Sequence, residues 1–128
     1  MKQKIGLCDG VFDLMHVGHI RHLNECKKHC DFLIVAVADD TYAQTKGEDR
    51  PYINQEERLY SIKSLECVDL AILCDGSVNI VNQFMPDVYF KNWDYKLDAG
   101  LDKRINVMRM DVYGSTTALV KRIKEKSK

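Results

Sequence analysis

The stretch Phe32-Leu33-Ile34-Val35-Ala36-Val37-Ala38 decides the fold, because all seven of its residues are apolar. A strand that is covered on both faces has this composition, whereas a strand with one solvated face alternates apolar and polar residues. Helical patterns flank the stretch, one over residues 17–30 and one that starts at Asn54. Parallel strands need crossover connections of this kind, so the stretch predicts a parallel sheet covered by helices.

The rest of the chain repeats this alternation of short apolar runs and helical patterns. The further predicted strands cover residues 5–8, 70–73, 87–90 and 106–110, and the further predicted helices cover 54–65, 78–85 and a segment that begins near 115–117. Residues 39–50 form a polar stretch without a predicted element, and a helix between the last two strands is left open. The sequence therefore predicts an α/β fold with a single Rossmann-like domain over residues 1–128, built on a five-stranded parallel sheet with helices on both faces.

Composition and charge exclude several classes of protein. The 128 residues are 45% apolar, and 19 Lys plus Arg cancel 19 Asp plus Glu. Proteins that bind nucleic acid usually carry a basic excess, so we expect no nucleic-acid partner. No apolar run approaches the roughly 20 residues of a membrane span, so we expect no membrane partner. Five cysteines without a paired pattern, and no apolar leader after Met1, predict reduced thiols in a cytoplasmic protein.

The loop after the first predicted strand carries the clearest chemical pattern. Residues 10–19 have the sequence GVFDLMHVGH. Gly10 permits a tight turn, and Gly18 leaves the first helical turn without a side chain at that position. His16 and His19 are three residues apart, so they share one face of that turn. In parallel sheets ligands bind at the carboxyl ends of the strands, and a helix N-terminus favours anions. The pattern therefore predicts an anion site.

The same region raises the question of a metal site. Cys26 and Cys30 lie one helical turn apart, but they are two to three turns from His16 and His19, which is too far for one zinc ion. We therefore expect no protein ligands for a metal. His22 is placed on the solvated part of its helix.

A resemblance to a known family rests on two motifs and the segments between them. Residues 10–19 match the GxFDxxHxGH signature of the cytidylyltransferase-like nucleotidyltransferases, and Gly114-Ser115-Thr116-Thr117 resembles the family's STT segment near the C-terminus. KGEDRP at residues 46–51 and ECVD at 66–69 look like the family's basic loop and the end of the helix after it. The resemblance covers essentially the whole chain, in order.

The resemblance implies an enzyme that joins a nucleoside triphosphate to a phosphorylated small molecule and releases pyrophosphate. The acceptor phosphate is largely ionised near neutral pH, because its second pKa is about 6, so no general base is required. Catalysis would consist of positioning the substrates and neutralising charge on the phosphates. Mg²⁺ is the expected cofactor, since it normally accompanies triphosphates. A homodimer is expected from relatives of this size.

The resemblance also assigns catalytic and phosphate-binding roles. His16 and His19 would contact the phosphates around the reacting phosphorus and stabilise the transition state. Lys46 and Arg50 would close over the triphosphate or the acceptor phosphate, and the fork of Arg58 suits bidentate phosphate contact as a catalytic residue. Simpler roles remain open, namely a solvated loop for Lys46 and Arg50 and a pairing on the helix surface for Arg58.

The nucleotide-binding set implied by the resemblance extends over both motifs. It consists of Gly10, Val11, Phe12, His16, His19, Asp94, Ser115, Thr116 and Thr117. Two departures from the family pattern concern this set. Gly114 abuts the serine, which leaves Arg109 one residue further from it than in cytidylyl-transferring members, and Trp93 precedes Asp94 where relatives have a glycine turn. Contacts to the base and the ribose are therefore left open.

Three functions remain as hypotheses. We predict transfer of CMP from CTP to a phosphorylated alcohol or polyol, such as glycerol 3-phosphate, with formation of a CDP-alcohol. The alternative is an adenylyltransferase of the heptose-phosphate or FMN type that uses ATP, because KGEDRPYINQEER at 46–58 and ECVD at 66–69 also resemble the adenylyl-transferring domain of heptose enzymes and archaeal FAD synthetases. A non-catalytic nucleotide-binding module is the third, and the intact histidine motif argues against it.

Overall fold

The computed structural model describes residues 2–111 and 116–127, with Thr116 and Thr117 described as backbone alone. The strands are β1 (Ile5–Gly10), β2 (Phe32–Ala38), β3 (Leu70–Cys74), β4 (Val88–Asn92) and β5 (Val107–Met110). The helices are α1 (Val17–Lys27), α2 (Asp40–Ala43), α3 (Gln55–Lys63), α4 (Asn79–Phe84) and α5 (Thr116–Lys126). Ser115 and Gly114 lie outside the described residues.

All five strands pair in parallel, in the order β3-β2-β1-β4-β5. This confirms the predicted α/β fold with one five-stranded parallel sheet. The chain moves outward from β1 to β3 on one side and then returns to β4 on the other side of β1. The strand order therefore reverses between β1 and β4, which is where open parallel sheets bind their ligands.

The apolar run in β2 packs against a separate apolar cluster on each face of the sheet. Leu33, Val35 and Val37 join the cluster that contains Leu23 of α1 and Ile62 of α3. Ile34 and Ala36 join the opposite cluster, which holds Val81 of α4 together with Leu101 and Ile105. Because successive side chains of a strand point to opposite faces, only a continuous apolar run fills both clusters.

Two segments differ from the sequence prediction. The polar stretch contains α2 and a 3₁₀ turn, Gln44–Lys46, since the Asp39 carboxylate caps α2 by accepting a hydrogen bond from the Tyr42 N–H at 2.8 Å. Residues 93–106, where a helix was left open, form turns that place Leu101 in the core. Within the described ranges, none of the helices has the length and apolar character needed to cross a membrane.

Candidate active site

The loop between β1 and α1 has an unusual backbone that its surroundings hold in place. Phe12 and Leu14 both adopt positive φ angles, 55° and 50°, which cost free energy for residues other than glycine. Between them the Asp13 carboxylate, 1% exposed, accepts hydrogen bonds from the Tyr52 and Ile53 N–H groups at 2.9 and 3.0 Å. It also pairs with Arg50 Nε at 2.8 Å. Asp13 therefore ties this loop to residues 50–53.

Arg58 is a structural residue, which corrects the prediction that it contacts phosphate. Its side chain is fully buried at the carboxyl ends of β1 and β2. The guanidinium donates to the carbonyls of Val11, Ala38 and Ile53 at 2.6 to 2.8 Å, and to the Asp40 carboxylate at 2.8 Å. These contacts engage all three of its nitrogens and leave no exposed face for a substrate. Arg58 positions the loops around the site.

His16 and His19 form a stacked pair at the start of α1, with ring centroids 4.1 Å apart. His16 is the N-cap of this helix, and its Nδ1 accepts a hydrogen bond from the Gly18 N–H at 3.0 Å. His19 Nδ1 accepts from the His16 N–H at 3.1 Å. Two of the backbone donors at the helix start are thus satisfied by the two imidazoles, which fixes the orientation of both rings.

These contacts also fix the chemical character of the two rings. A neutral imidazole whose Nδ1 accepts a hydrogen bond carries its proton on Nε2, so each ring presents an Nε2–H donor. His16 Nε2 is buried and has no hydrogen-bond partner among the described residues. Burial lowers the pKa of His19 to about 4, with His16 and His22 adding to the effect and Asp13 opposing it. Without a ligand, His19 is therefore neutral at pH 7.

We expect nucleotide binding to raise the pKa of His19. A triphosphate brings several negative charges to the helix start, and nearby anions favour the charged form of an imidazole. The measurement is an NMR titration of the His19 ring with and without ATP, between pH 3.5 and 8. The ring should titrate near pH 4 in the free protein and at least one unit higher with ATP. An unchanged midpoint at saturating nucleotide would contradict phosphate contact at this pair.

A cavity of about 350 Å³ opens at the carboxyl end of the sheet, at the point where the strand order reverses. It is lined by Asp9, Gly10, Val11, Ala38, Tyr42, Lys46, Cys74, Gly76, Val78, Tyr89, Lys91, Tyr95 and Asp98. Gly10, Val11 and Lys46 were predicted from the sequence as site residues, and the structure brings them together here. His16 and His19 are not among the lining residues, although the same loop connects them to Gly10.

The polar network inside this cavity was not predicted from the sequence. The Asp9 carboxylate accepts hydrogen bonds from the Tyr89 hydroxyl at 2.5 Å and from Lys91 Nζ at 3.0 Å. The Lys91 ammonium also lies 4.6 Å from the ring centroid of Tyr95. Burial and the Asp9 charge raise the pKa of Tyr89, so it remains a hydroxyl donor. The sequence signal that could have identified Asp9 as a site residue is its position directly before Gly10, at the carboxyl end of β1.

The other predicted site residues, Lys46, Arg50 and Asp94, lie in different surroundings. Lys46 ends the 3₁₀ turn with its ammonium 5.2 Å from the ring centroid of Tyr42. Arg50 is mostly buried against Asp13. Asp94 lies in an exposed turn and does not line the cavity.

The second motif and its neighbours are only partly described. Thr116 and Thr117 form the start of α5, while Ser115 lies outside the described residues. Arg109 donates to the backbone carbonyls of Asn92 and Tyr95 at 3.1 and 2.6 Å, so it holds the turn after β4.

The position of His22 differs from the sequence prediction, which placed this side chain in solvent. It is partly buried, and its Nε2 lies 3.5 Å from Cys8 Sγ on β1 and 3.7 Å from Cys26 Sγ on α1. Cys30, which lies one helical turn after Cys26, is not part of this group. The spacing of four residues between His22 and Cys26 places them on one helix face, and that face packs against Cys8 of the sheet.

Comparisons with known proteins agree with the fold. A family model described as cytidylyltransferase-like matches residues 7–125. The bifunctional protein HldE of Geobacter sulfurreducens is 31% identical over 92% of this chain and 24% of its own length, and HldE of Nitratiruptor is 33% identical over 95% and 28%. The chain thus spans about a quarter of the length of these relatives. The crystal structure of a lipopolysaccharide core biosynthesis protein from Thermoplasma volcanium matches with a TM-score of 0.76 and 30% identity, covering 88% of this chain and all of that one.

Proposed function

The chain belongs to the cytidylyltransferase-like family and is a nucleotidyltransferase, and from this premise we propose that it transfers AMP from ATP to a sugar phosphate. Two kinds of support favour ATP over the CTP reaction expected first from the sequence. The relatives reported above are HldE proteins, and the solved relative is named for lipopolysaccharide core biosynthesis. The segments KGEDRPYINQEER and ECVD also resemble the adenylyl-transferring domain of heptose enzymes.

The observation that carries the nucleotidyl-transfer step of the proposal is the fixed orientation of His16 and His19. Both rings are held by backbone hydrogen bonds at a helix start, and both present Nε2–H donors. Donors that are already oriented stabilise the charge that develops on phosphate oxygens without reorganising during the reaction. The helix N-terminus adds a favourable field for the same anions.

The proposed reaction needs no nucleophile from the protein. An oxygen of the acceptor phosphate forms a bond to the α-phosphorus of ATP, and the bond from that phosphorus to the oxygen bridging to the β-phosphorus breaks. Pyrophosphate leaves with the electron pair of that bond. The acceptor oxygen is already ionised near neutral pH, so no proton has to be removed. The protein contributes alignment and charge stabilisation, for which the histidine pair is suited.

The cavity beside the loop supports a sugar phosphate as the acceptor. Its volume of about 350 Å³ is within the range of small-molecule sites. The Asp9 carboxylate can accept hydrogen bonds from sugar hydroxyls, and the Tyr89 hydroxyl and Lys91 ammonium that contact it supply donors. Lys46 also lines the cavity, and its positive charge suits the acceptor phosphate. In this proposal the acceptor lies in the cavity, with its phosphate toward the histidine pair.

Magnesium at nucleotide sites is usually held by one or two carboxylates together with the substrate phosphates. Magnesium prefers oxygen ligands, and residues 2–111 and 116–127 bring no three carboxylates together in one group. The buried carboxylate of Asp13 is engaged by Arg50 and two backbone N–H groups. We therefore propose that Mg²⁺ is held by the phosphates of the nucleotide.

A pyrophosphate-release screen tests the proposal. ATP and CTP are each combined with heptose 1-phosphate, hexose 1-phosphates, glycerol 3-phosphate and FMN, with Mg²⁺ in every reaction. We expect the highest kcat/KM for ATP with a sugar 1-phosphate. Turnover of CTP with glycerol 3-phosphate as the best pair would instead support the cytidylyl reaction. Absence of pyrophosphate in all combinations would favour a non-catalytic nucleotide-binding module.

A further inference from the structure

Beneath the loop that carries the histidine pair, three side chains bring metal-binding atoms together. Cys8 Sγ, His22 Nε2 and Cys26 Sγ all lie within 4.8 Å of one another. Cys8 and Cys26 are buried, at 2% and 0% exposure. Two thiols and an imidazole are the ligand types that bind zinc in proteins.

The distances within this group agree with a tetrahedral zinc centre. With Zn–S near 2.3 Å and Zn–N near 2.0 Å, tetrahedral angles place the sulfur and the nitrogen about 3.5 Å apart. The two sulfur to nitrogen distances are 3.5 and 3.7 Å. The spacing of the three atoms is therefore compatible with one ion bound to both sulfurs and the nitrogen.

The charges in the group also suit a buried ion. Zinc displaces the protons of both thiols, and two thiolates neutralise its charge of two. A neutral centre avoids the cost of an unpaired buried charge. His22 supplies the third ligand through Nε2.

We propose that Cys8, His22 and Cys26 bind one Zn²⁺ ion that clamps α1 to β1. Cys8 precedes Gly10 by two residues, and His22 lies one helical turn after His19. The ion therefore fixes the position of the helix start that carries the histidine pair. Three protein ligands leave the fourth coordination position to a water molecule. This proposal rests on the three side chains alone and is independent of the nucleotidyl transfer proposed above.

Metal content is the first test. The full chain, expressed with added zinc and purified under reducing conditions, should contain about one zinc per chain. Cys26→Ala should lower the content at least tenfold, because two ligands hold the ion poorly. Cys67→Ala is the control, since Cys67 is a half-buried thiol that lies outside the group, and it should keep the full content. Circular dichroism checks that each variant is folded, and His22→Gln replaces Cys26→Ala if that variant does not fold.

Cobalt substitution is the second test, and its readout does not depend on activity. Co²⁺ added to the metal-free wild-type protein should give the strong near-ultraviolet absorption of thiolate bound to cobalt, and Cys26→Ala should lose most of it. Zinc should also raise the Tm of the wild-type protein and not that of Cys26→Ala. Wild-type protein without zinc and without this absorption overturns the proposal. So does equal zinc in wild type, Cys26→Ala and His22→Gln, or a disulfide between Cys8 and Cys26 in the protein as purified.

Discussion

Replacing His16 by asparagine should lower kcat by about 10² to 10³ while leaving the fold and the Tm nearly unchanged. The His16 side chain has two roles in this account, since Nδ1 caps α1 and the proposed reaction uses Nε2 as a donor to the phosphates. Asparagine is among the best N-cap residues, so it keeps the acceptor for the Gly18 N–H. It lacks the oriented Nε2–H, and loss of one such donor in comparable sites costs two to three orders of magnitude in kcat.

Two further variants separate the roles of this residue. His16→Ala loses the cap as well as the donor, so its kcat should fall by a similar factor and the helix should lose about 1 kcal/mol of stability. His29→Asn changes an exposed histidine just after α1 and should keep wild-type kcat. Steady-state pyrophosphate release and thermal melts supply both readouts. A kcat for His16→Asn within threefold of wild type would show that the pair serves only to cap the helix.

Replacing Arg58 by methionine should cost about 3 to 5 kcal/mol of unfolding free energy, which is a large part of the stability of a domain this size. The guanidinium satisfies three backbone carbonyls and the Asp40 carboxylate at the carboxyl ends of the strands. Methionine fills much of the volume but leaves these oxygens without their donor, and buried unsatisfied groups are costly. Arg58→Lys should recover only part of the loss, because an ammonium cannot span the same set of acceptors.

Urea unfolding measures this effect, and Arg104→Met is its control. Arg104 pairs with Asp102 at the surface, where its side chain is 78% exposed, so that variant should leave the free energy of unfolding nearly unchanged. If Arg58 contacted phosphate instead, Arg58→Met would be a stable protein with a low kcat. Normal stability together with lost turnover would therefore restore the role first predicted from the sequence.

The fold could be predicted largely from the apolar pattern, because a strand that is covered on both faces requires a continuous run of apolar residues. The run in β2 and the alternation around it predicted the parallel sheet and its helices. The helix in the polar stretch was missed because α2 is only four residues long and depends on the cap from Asp39. The turn segment 93–106 buries Leu101 and Ile105 without a periodic pattern. Periodicity cannot predict such segments, since their burial is set by tertiary contacts.

The candidate site was predicted less completely, for reasons that particular residues show. His16 and His19 were identified because their spacing is local to one helical turn. Arg58 was assigned to phosphate from its chemistry, yet it lies four residues before buried Ile62 on the inner face of α3. Asp9 and Lys91 meet only because β1 and β4 pair across 82 residues of sequence separation. Cys8 meets His22 and Cys26 only after α1 packs on the sheet, so local spacing could not group them.

The most direct test of the central claim is a competition reaction that contains equal amounts of ATP and CTP, Mg²⁺ and heptose 1-phosphate. Mass spectrometry identifies the nucleotide sugar that forms in the presence of both triphosphates. The proposed function predicts an ADP-linked sugar, formed together with an equal amount of pyrophosphate and lost in His16→Asn. A CDP-linked product as the main species, or a product that His16→Asn forms at the wild-type rate, would contradict adenylyl transfer at the histidine pair.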